Sequence, residues 1–201
     1  MSLSIVLVHH PVLDRDGHHV TTAITNLDLH DMARSARTYG LSAVYVVHPI
    51  EAQRQLAESI RAHWASGTGK RRIPDRAIAM ELLRIVPSLD DVYAQMAGDA
   101  GRSGVEVWTT AALAHPRGVT SYPDARARLQ EVARPVAMLF GTGWGLARTL
   151  IDDADLRLSP IRAASDTGYN HLSVRAACAI SLDRLLGEDA SAGRAAHTSA
   201  G

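Results

Sequence analysis

The sharpest chemical signal in this chain is three glycines at alternate positions in the run Leu139–Leu146, LFGTGWGL. They follow Val136–Phe140, a fully apolar stretch that reads as a buried strand. The chain therefore leaves the sheet at a point where no Cβ keeps a ligand away from the backbone amides. A tight strand-to-helix turn would leave the same trace. A dinucleotide fingerprint fits less well, because it has G-x-G-x-x-G on the first strand, whereas this spacing is G-x-G-x-G in the C-terminal third.

A second signal is Tyr169–Leu185, YNHLSVRAACAISLDRL. Polar Tyr169, Asn170 and His171 precede a helix that is small and apolar from Ala176 to Ile180, a composition expected to be buried on nearly every side. Ser173 or Asn170 can cap its first turn, and the amides and carbonyls at that helix start can meet a ligand or simply a cap.

A third group lies near the N-terminus, where Asn26, His30, Arg34 and Arg37 recur at helical spacing as one polar stripe opposite an apolar one. Taken by themselves, they read as a solvated helix face. The pairs His9-His10 and His18-His19 invite a metal reading, yet no cysteine or carboxylate stands at a spacing that completes a closed site, so no metal is expected. The lone cysteine, Cys178, lies in the apolar helix and reads as a core residue.

The elements that must position these residues alternate. Leu3–Val8 reads as a strand followed by a loop, Pro11–Val20, and a helix is expected from Leu27 to Tyr39, closed by Gly40. Leu41–Val47 is a strand, Ile50–Trp64 a helix, Gly67–Arg72 a flexible basic loop, Arg76–Met80 a short helix and Leu83–Val86 a strand. Ser88 caps a helix running to Ala97. Val105–Thr109, Tyr122–Val132, Val136–Phe140, Leu146–Ile151, Leu156–Ile161 and Leu172–Leu186 continue as strand, helix, strand, helix, strand, helix. Such alternation predicts an α/β fold with a parallel sheet flanked by helices.

Composition agrees. With 201 residues and 46% hydrophobic content the chain can bury one core, and 1–187 reads as a single domain followed by a disordered tail at 188–201. A single cysteine, no secretory leader and no apolar run near the ~20 residues that span a bilayer predict a cytoplasmic protein outside the membrane. Net charge is zero, which counts against nucleic-acid binding by bulk electrostatics. Lys70, Arg71 and Arg72, and the middle-third Arg102, Arg117, Arg126, Arg128 and Arg134, leave room for a local basic face.

The two C-terminal segments, in this order, resemble the cofactor motifs of SPOUT methyltransferases, and they look like one bacterial family of SPOUT-type RNA methyltransferases. Thr25–Gly40 (TNLDLHDMARSARTYG) resembles that family's N-terminal motif, and Asp155–Ile161 (DLRLSPI) the strand between its cofactor loops. The likeness spans Leu3 to Leu186. It implies a parallel sheet with a deep C-terminal trefoil knot, a homodimer whose interface completes each active site, S-adenosylmethionine as cofactor, and a tRNA or rRNA substrate.

Carried over by position, the resemblance places Thr109, Thr110 and Ala111 at the cofactor's edge. Phe140, Gly141, Thr142 and Gly143 fall along its methionine and ribose, and Ile161, Asn170, His171, Leu172 and Ser173 around its adenine. In the ribose-methylating branch an arginine stands six residues before a glycine, as Arg34 stands before Gly40. Arg34, with Arg37 as neighbour, is thus the catalytic candidate, suited by its high pKa to clamping phosphate or developing charge rather than to taking a proton. Asn26, His30, Lys70, Arg71 and Arg72 are the RNA contacts implied. Asp28 stands where that branch usually has asparagine, which leaves the acceptor chemistry open. An S-adenosylmethionine-binding RNA module without catalysis and a dinucleotide-dependent oxidoreductase are the competing readings.

Overall fold

The computed structural model describes residues 2–66, 71, 73–111, 114–165 and 167–188. Lys70 and Arg72, and all of the expected tail except Glu188, lie outside these residues. The chain runs β1 (Leu3–Val8), β2 (Val12–Leu13), β3 (His19–Val20), α1 (Asn26–Thr38), β4 (Ala43–Val47) and α2 (Glu51–Ala65), followed by α3 (Pro74–Met80), β5 (Leu83–Val86) and α4 (Leu89–Ala97). A 3-10 segment, Gly98–Gly104, leads to β6 (Glu106–Thr109), α5 (Tyr122–Glu131), β7 (Val136–Gly141), α6 (Arg148–Asp152), β8 (Leu156–Arg157) and α7 (Val174–Leu186).

Six strands form one sheet in the order β5-β4-β1-β7-β6-β8. Every pairing in it is parallel, with Ile5 opposite both Val44 and Met138. Parallel sheets need cover on both faces, so β1 and β4 are buried throughout and, Ser4 apart, apolar rather than alternating with polar residues. Successive side chains still point to opposite faces. Ile5, Leu7, Val44, Met138 and Phe140 pack with Leu29 and Met32 of α1, Leu129 of α5 and Leu182 of α7. Val6, Val8, Tyr45, Val47 and Leu139 pack with Val92 of α4, Val12 of the hairpin and Leu146.

Helix starts are set locally. Thr25, Ser88 and Ser121 each accept from the amide of an aspartate three positions on, Asp28, Asp91 and Asp124, and each hydroxyl donates back to that aspartate's carboxylate. Each such cap is worth about 1 kcal/mol.

Three expectations change. The presumed loop Pro11–Val20 contains the hairpin β2–β3, whose two-residue strands are too short to show a period. β8 ends at Arg157, and Leu158 continues as an isolated bridge to Thr120. The last helix is not sealed on all sides. Cys178, Ser181, Leu182 and Leu185 are buried, but Ala176, Ala177, Ala179 and Ile180 are only half-buried, because no element among the described residues packs over one flank of α7.

Candidate functional site

Strand order reverses between β1 and β7: the chain builds outward from β1 to β4 and β5, then returns on the far side with β6 beside β7. Ligands of open α/β sheets bind beyond the carboxyl ends of the strands at such a switch. Here those ends carry the loops after Val8, Thr109 and Gly141, joined by the segment that follows β8.

The glycine loop is held by the hairpin. Leu13 donates its amide to Gly145 O (2.9 Å), Trp144 donates to Leu13 O (2.9 Å), and Ala147 donates to Pro11 O (3.2 Å). Gly141 must be glycine, because a Cβ there would sit 2.4 Å from Leu146 N and 2.7 Å from the Gly145 carbonyl carbon. Gly143 has φ +59 and its missing side chain faces Leu13 O at 2.8 Å. That glycine therefore makes room for the hairpin backbone. The sequence signal for close backbone approach was real, but at Gly143 the approaching group is the protein itself.

Thr142 ties the loop to the neighbouring strand end. Its amide and its hydroxyl both reach Val8 O at 3.2 Å, and its oxygen lies 2.5 Å from Thr22 Oγ1, which in turn lies 3.0 Å from His9 Nδ1. The assignment that uses each hydroxyl proton once runs from His9 Nδ1–H to Thr22, from Thr22 to Thr142, and from Thr142 to Val8 O. His48 Nε2 donates to Thr22 O (2.9 Å) and its Nδ1 accepts from Ile50 N (3.1 Å), which fixes a neutral ring beside His9. Burial, aided by the neighbouring His48, pulls the His9 pKa down to about 4. His9 Nε2 has no hydrogen-bond partner among the described residues.

The other expected cofactor residues divide by exposure. Thr110 and Ala111 are half-buried at the mouth of β6, and Thr109 is buried with its carbonyl taken by Leu158 N (2.9 Å). Phe140 is 1% exposed inside the core, so its ring faces the helices below the sheet and not a ligand. Ile161 is half-buried against the core, while Asn170, His171 and Leu172 are exposed. Ser173 is the cap of α7, accepting from Ala176 N at 3.3 Å, so its oxygen is committed to the helix. The two signal segments meet through Trp144 and His171, whose ring centroids are 5.0 Å apart. Trp144 was not singled out in the sequence; its position between two glycines, where a loop-tip aromatic has no core to enter, was the available clue.

On α1, Asn26, Arg34 and Arg37 are exposed. His30 departs from the stripe: it is 8% exposed and lies edge-on to Trp64, with centroids 5.2 Å apart, because α2 packs over that side of α1. It cannot contact RNA from there. Burial and the nearby Arg76 lower its pKa. Arg71 is exposed.

The middle-third arginines form no common basic face. Arg128 and Arg134 clasp the buried Glu106, Arg102 pairs with Asp153 and Asp155, and Arg126 caps the carbonyl end of α7 through Leu185 O. Asp28, 6% exposed, accepts from Arg175 Nη1 at 3.1 Å. Asp14, Asp16 and His18 converge in the hairpin turn, but Asp14 Oδ1 already accepts the amides of Asp16 (2.8 Å) and His18 (2.9 Å), which accounts for their closeness. Burial pushes the Cys178 thiol up to about 12, as befits a core residue. No described helix is long and apolar enough to cross a membrane.

The residues at the switch suit S-adenosylmethionine: half-buried Ile161 and exposed Leu172 offer apolar cover for an adenine, and Thr110 and the glycine loop offer small polar walls. Comparison with known proteins agrees. Residues 2–187 match the family model described as SAM-dependent RNA methyltransferase. A tRNA (guanine-N(1)-)-methyltransferase of Nitratidesulfovibrio vulgaris is 43% identical over 93% of this chain, which spans only 42% of that relative. A protein of Aquifex aeolicus is 39% identical over 90% of this chain and 86% of its own length. Among solved structures, TrmJ from Z. mobilis shares the fold with a TM-score of 0.56 at 17% identity, covering 94% of this chain and 70% of the other. The A. aeolicus TrmH/SpoU tRNA modifying enzyme does so with a TM-score of 0.52 at 14% identity, covering 96% and 77%. An AdoMet-bound rRNA methyltransferase from Sinorhizobium meliloti has a TM-score of 0.52 at 19% identity, covering 92% and 55%. These likenesses leave no place for the dinucleotide-dependent oxidoreductase, and the chain belongs to the SAM-dependent RNA methyltransferase family.

Proposed function

We propose that this chain transfers the methyl group of S-adenosylmethionine to a nucleotide of a structured RNA, a tRNA or an rRNA, in the cytoplasm. The observation that carries the reading is the meeting of the glycine loop and the start of α7 at the sheet's switch point, joined by Trp144 and His171. The curated relatives named as tRNA methyltransferases favour tRNA, but this chain spans less than half of their length, so their guanine-N1 chemistry is not assigned to it.

In this reading Thr110, Ala111, Gly141, Thr142, Ile161, Asn170, His171 and Leu172 surround the cofactor, with Thr109, Gly143 and Ser173 shaping the loops from behind. The bound cofactor supplies an electrophilic methyl group on a sulfonium. The protein's part is to hold an RNA oxygen or nitrogen in line with it and to keep water out. Arg34 and Arg37, exposed on α1, neutralise RNA phosphate or developing charge, with Asn26, Lys70, Arg71 and Arg72 as outer contacts. The fold carries a deep trefoil knot, a reading supported by the return of α7 onto α5 and α1, where Tyr122 and Ser181 hydroxyls meet at 3.0 Å and Tyr39 donates to Asp183 at 3.0 Å. The chain acts as a homodimer through the half-buried flank of α7. Light scattering is expected to give a dimer, and Ile180→Arg a monomer.

The test is incubation of the purified chain with methyl-labelled S-adenosylmethionine and total RNA from cells lacking the gene, followed by mass spectrometry of nucleosides. One new methylated nucleoside is expected, together with calorimetric cofactor binding. Binding without transfer would instead establish a module that has lost catalysis, and absence of binding would sink the assignment of the pocket.

A further inference from the structure

Aromatic side chains are scarce in this protein: one Phe, three Trp and five Tyr. Folding takes nearly all of them inside. Trp108 and Phe140 are fully buried, Tyr45, Tyr93 and Tyr122 are buried, and Trp64 and Tyr39 are half-covered. The two that stay out are Trp144, 53% exposed, and Tyr169, 72% exposed, and both stand at the loops just described. His171 links them edge to face, at 5.0 Å and 74° from Trp144 and at 5.3 Å and 63° from Tyr169. An edge-to-face contact occupies at most one face of the ring it meets, so Trp144 and Tyr169, both largely exposed, each keep ring surface for a ligand.

We propose that Trp144, Tyr169 and His171 form the seat on which the target base of the RNA stacks before methylation. The inference rests on the reading that RNA is the substrate. A base unpaired from its helix presents two π-faces, and exposed aromatic rings bind such a face whatever the base. Basic residues follow the glycine loop in the chain. Arg148 opens α6 at the end of the glycine loop, and it and Arg117, 61% and 66% exposed, share one carboxylate oxygen of Asp152 that already takes His115 Nε2 at 2.7 Å. Two guanidinium groups on one carboxylate leave positive charge for a phosphate. A stacked base would thus lie beside the loops that hold the methyl donor, with its backbone toward α6. The seat selects unpaired nucleotides in loops over those inside a duplex.

The experiment uses the full chain, a tRNA pool from cells lacking the gene, and a short single-stranded oligoribonucleotide. Trp144→Ala and Tyr169→Ala should each raise KM for the tRNA pool by about 10-fold or more, and in Tyr169→Ala, which leaves the Trp144–His171 contact in place, cofactor affinity read by calorimetry should stay within about 2-fold. The oligoribonucleotide should quench tryptophan emission in the natural protein, and Trp144→Phe should abolish the quench while keeping KM within a few-fold. Unchanged KM in both alanine variants, or a quench that persists in Trp144→Phe, would overturn the seat. So would a dimer that falls to monomer in Trp144→Ala, which would make the ring a contact between two copies. Should the natural protein bind cofactor yet methylate no RNA, the functional reading fails by itself, and the quench still decides the stacking.

Discussion

Asp28 Oδ1 lies 3.1 Å from Arg175 Nη1, joining the first turn of α1 to the first turn of α7. The other oxygen of Asp28 accepts the hydroxyl of the cap residue Thr25 at 2.6 Å, and Arg175 Nε reaches Asp31 at 3.4 Å. An asparagine at position 28 could still accept from Arg175, but it would lose the charge that holds a partly exposed guanidinium at the start of α7.

The Asp28–Arg175 pair should be coupled in stability. Because the Arg175 side chain is 35% exposed, solvent screens part of the attraction, and a double-mutant cycle with Asp28→Asn and Arg175→Gln should give a coupling of about 0.5–1.5 kcal/mol in urea denaturation. Additive single effects would show that the contact contributes nothing beyond the cap.

Arg34 has no side-chain hydrogen bond or ion pair among the described residues and faces solvent, so its removal should not disturb the fold. Arg34→Ala should leave cofactor affinity unchanged and lower transfer by about 100-fold or more, as loss of a charge-stabilising donor does. Neutralising Lys70, Arg71 and Arg72 together should instead weaken RNA binding and flatten its salt dependence. Full turnover in Arg34→Ala would return the α1 stripe to an ordinary solvated face.

Acid should destabilise the protein through His9. Its pKa is about 4 when folded against 6.5 when free, so above pH 6.5 both states are neutral there and its contribution is fully present. As pH falls from 6.5 toward 4 the unfolded chain takes the proton first, and up to about 3 kcal/mol is lost. His30 and His48, also lowered by burial, act in the same direction. Thermal melts between pH 7 and pH 4 should therefore fall steeply, and His9→Asn should show a shallower fall from a lower starting point. An equal slope in that variant would remove His9 as a cause.

Gly141→Ala should be the most damaging glycine change, because the added carbon meets backbone, which cannot swing away: Leu146 N at 2.4 Å. A loss of several kcal/mol and of cofactor binding is expected by calorimetry. Gly145→Ala meets nothing within 4 Å and suffers only the strain of φ +108, of order 1–3 kcal/mol. Similar melting temperatures for the two variants would show that the loop rearranges around the added carbon.

Strands, helices and the glycine loop were legible in the sequence because each is set by neighbours in the chain: apolar runs for β1, β4 and β7, helical spacing and the Ser88 cap for the helices, and alternate glycines after β7. The family motifs were legible for the same reason. Only the tertiary structure decided what those segments touch. The pairing of Asp28 with Arg175, the relay from His9 through Thr22 to Thr142, the cover of Trp64 over His30 and the meeting of Trp144 with His171 all join residues from different elements, and no periodicity records such contacts. The hairpin was hidden because two-residue strands have no pattern of their own; they hold their shape by hydrogen bonds to the glycine loop, more than a hundred positions away.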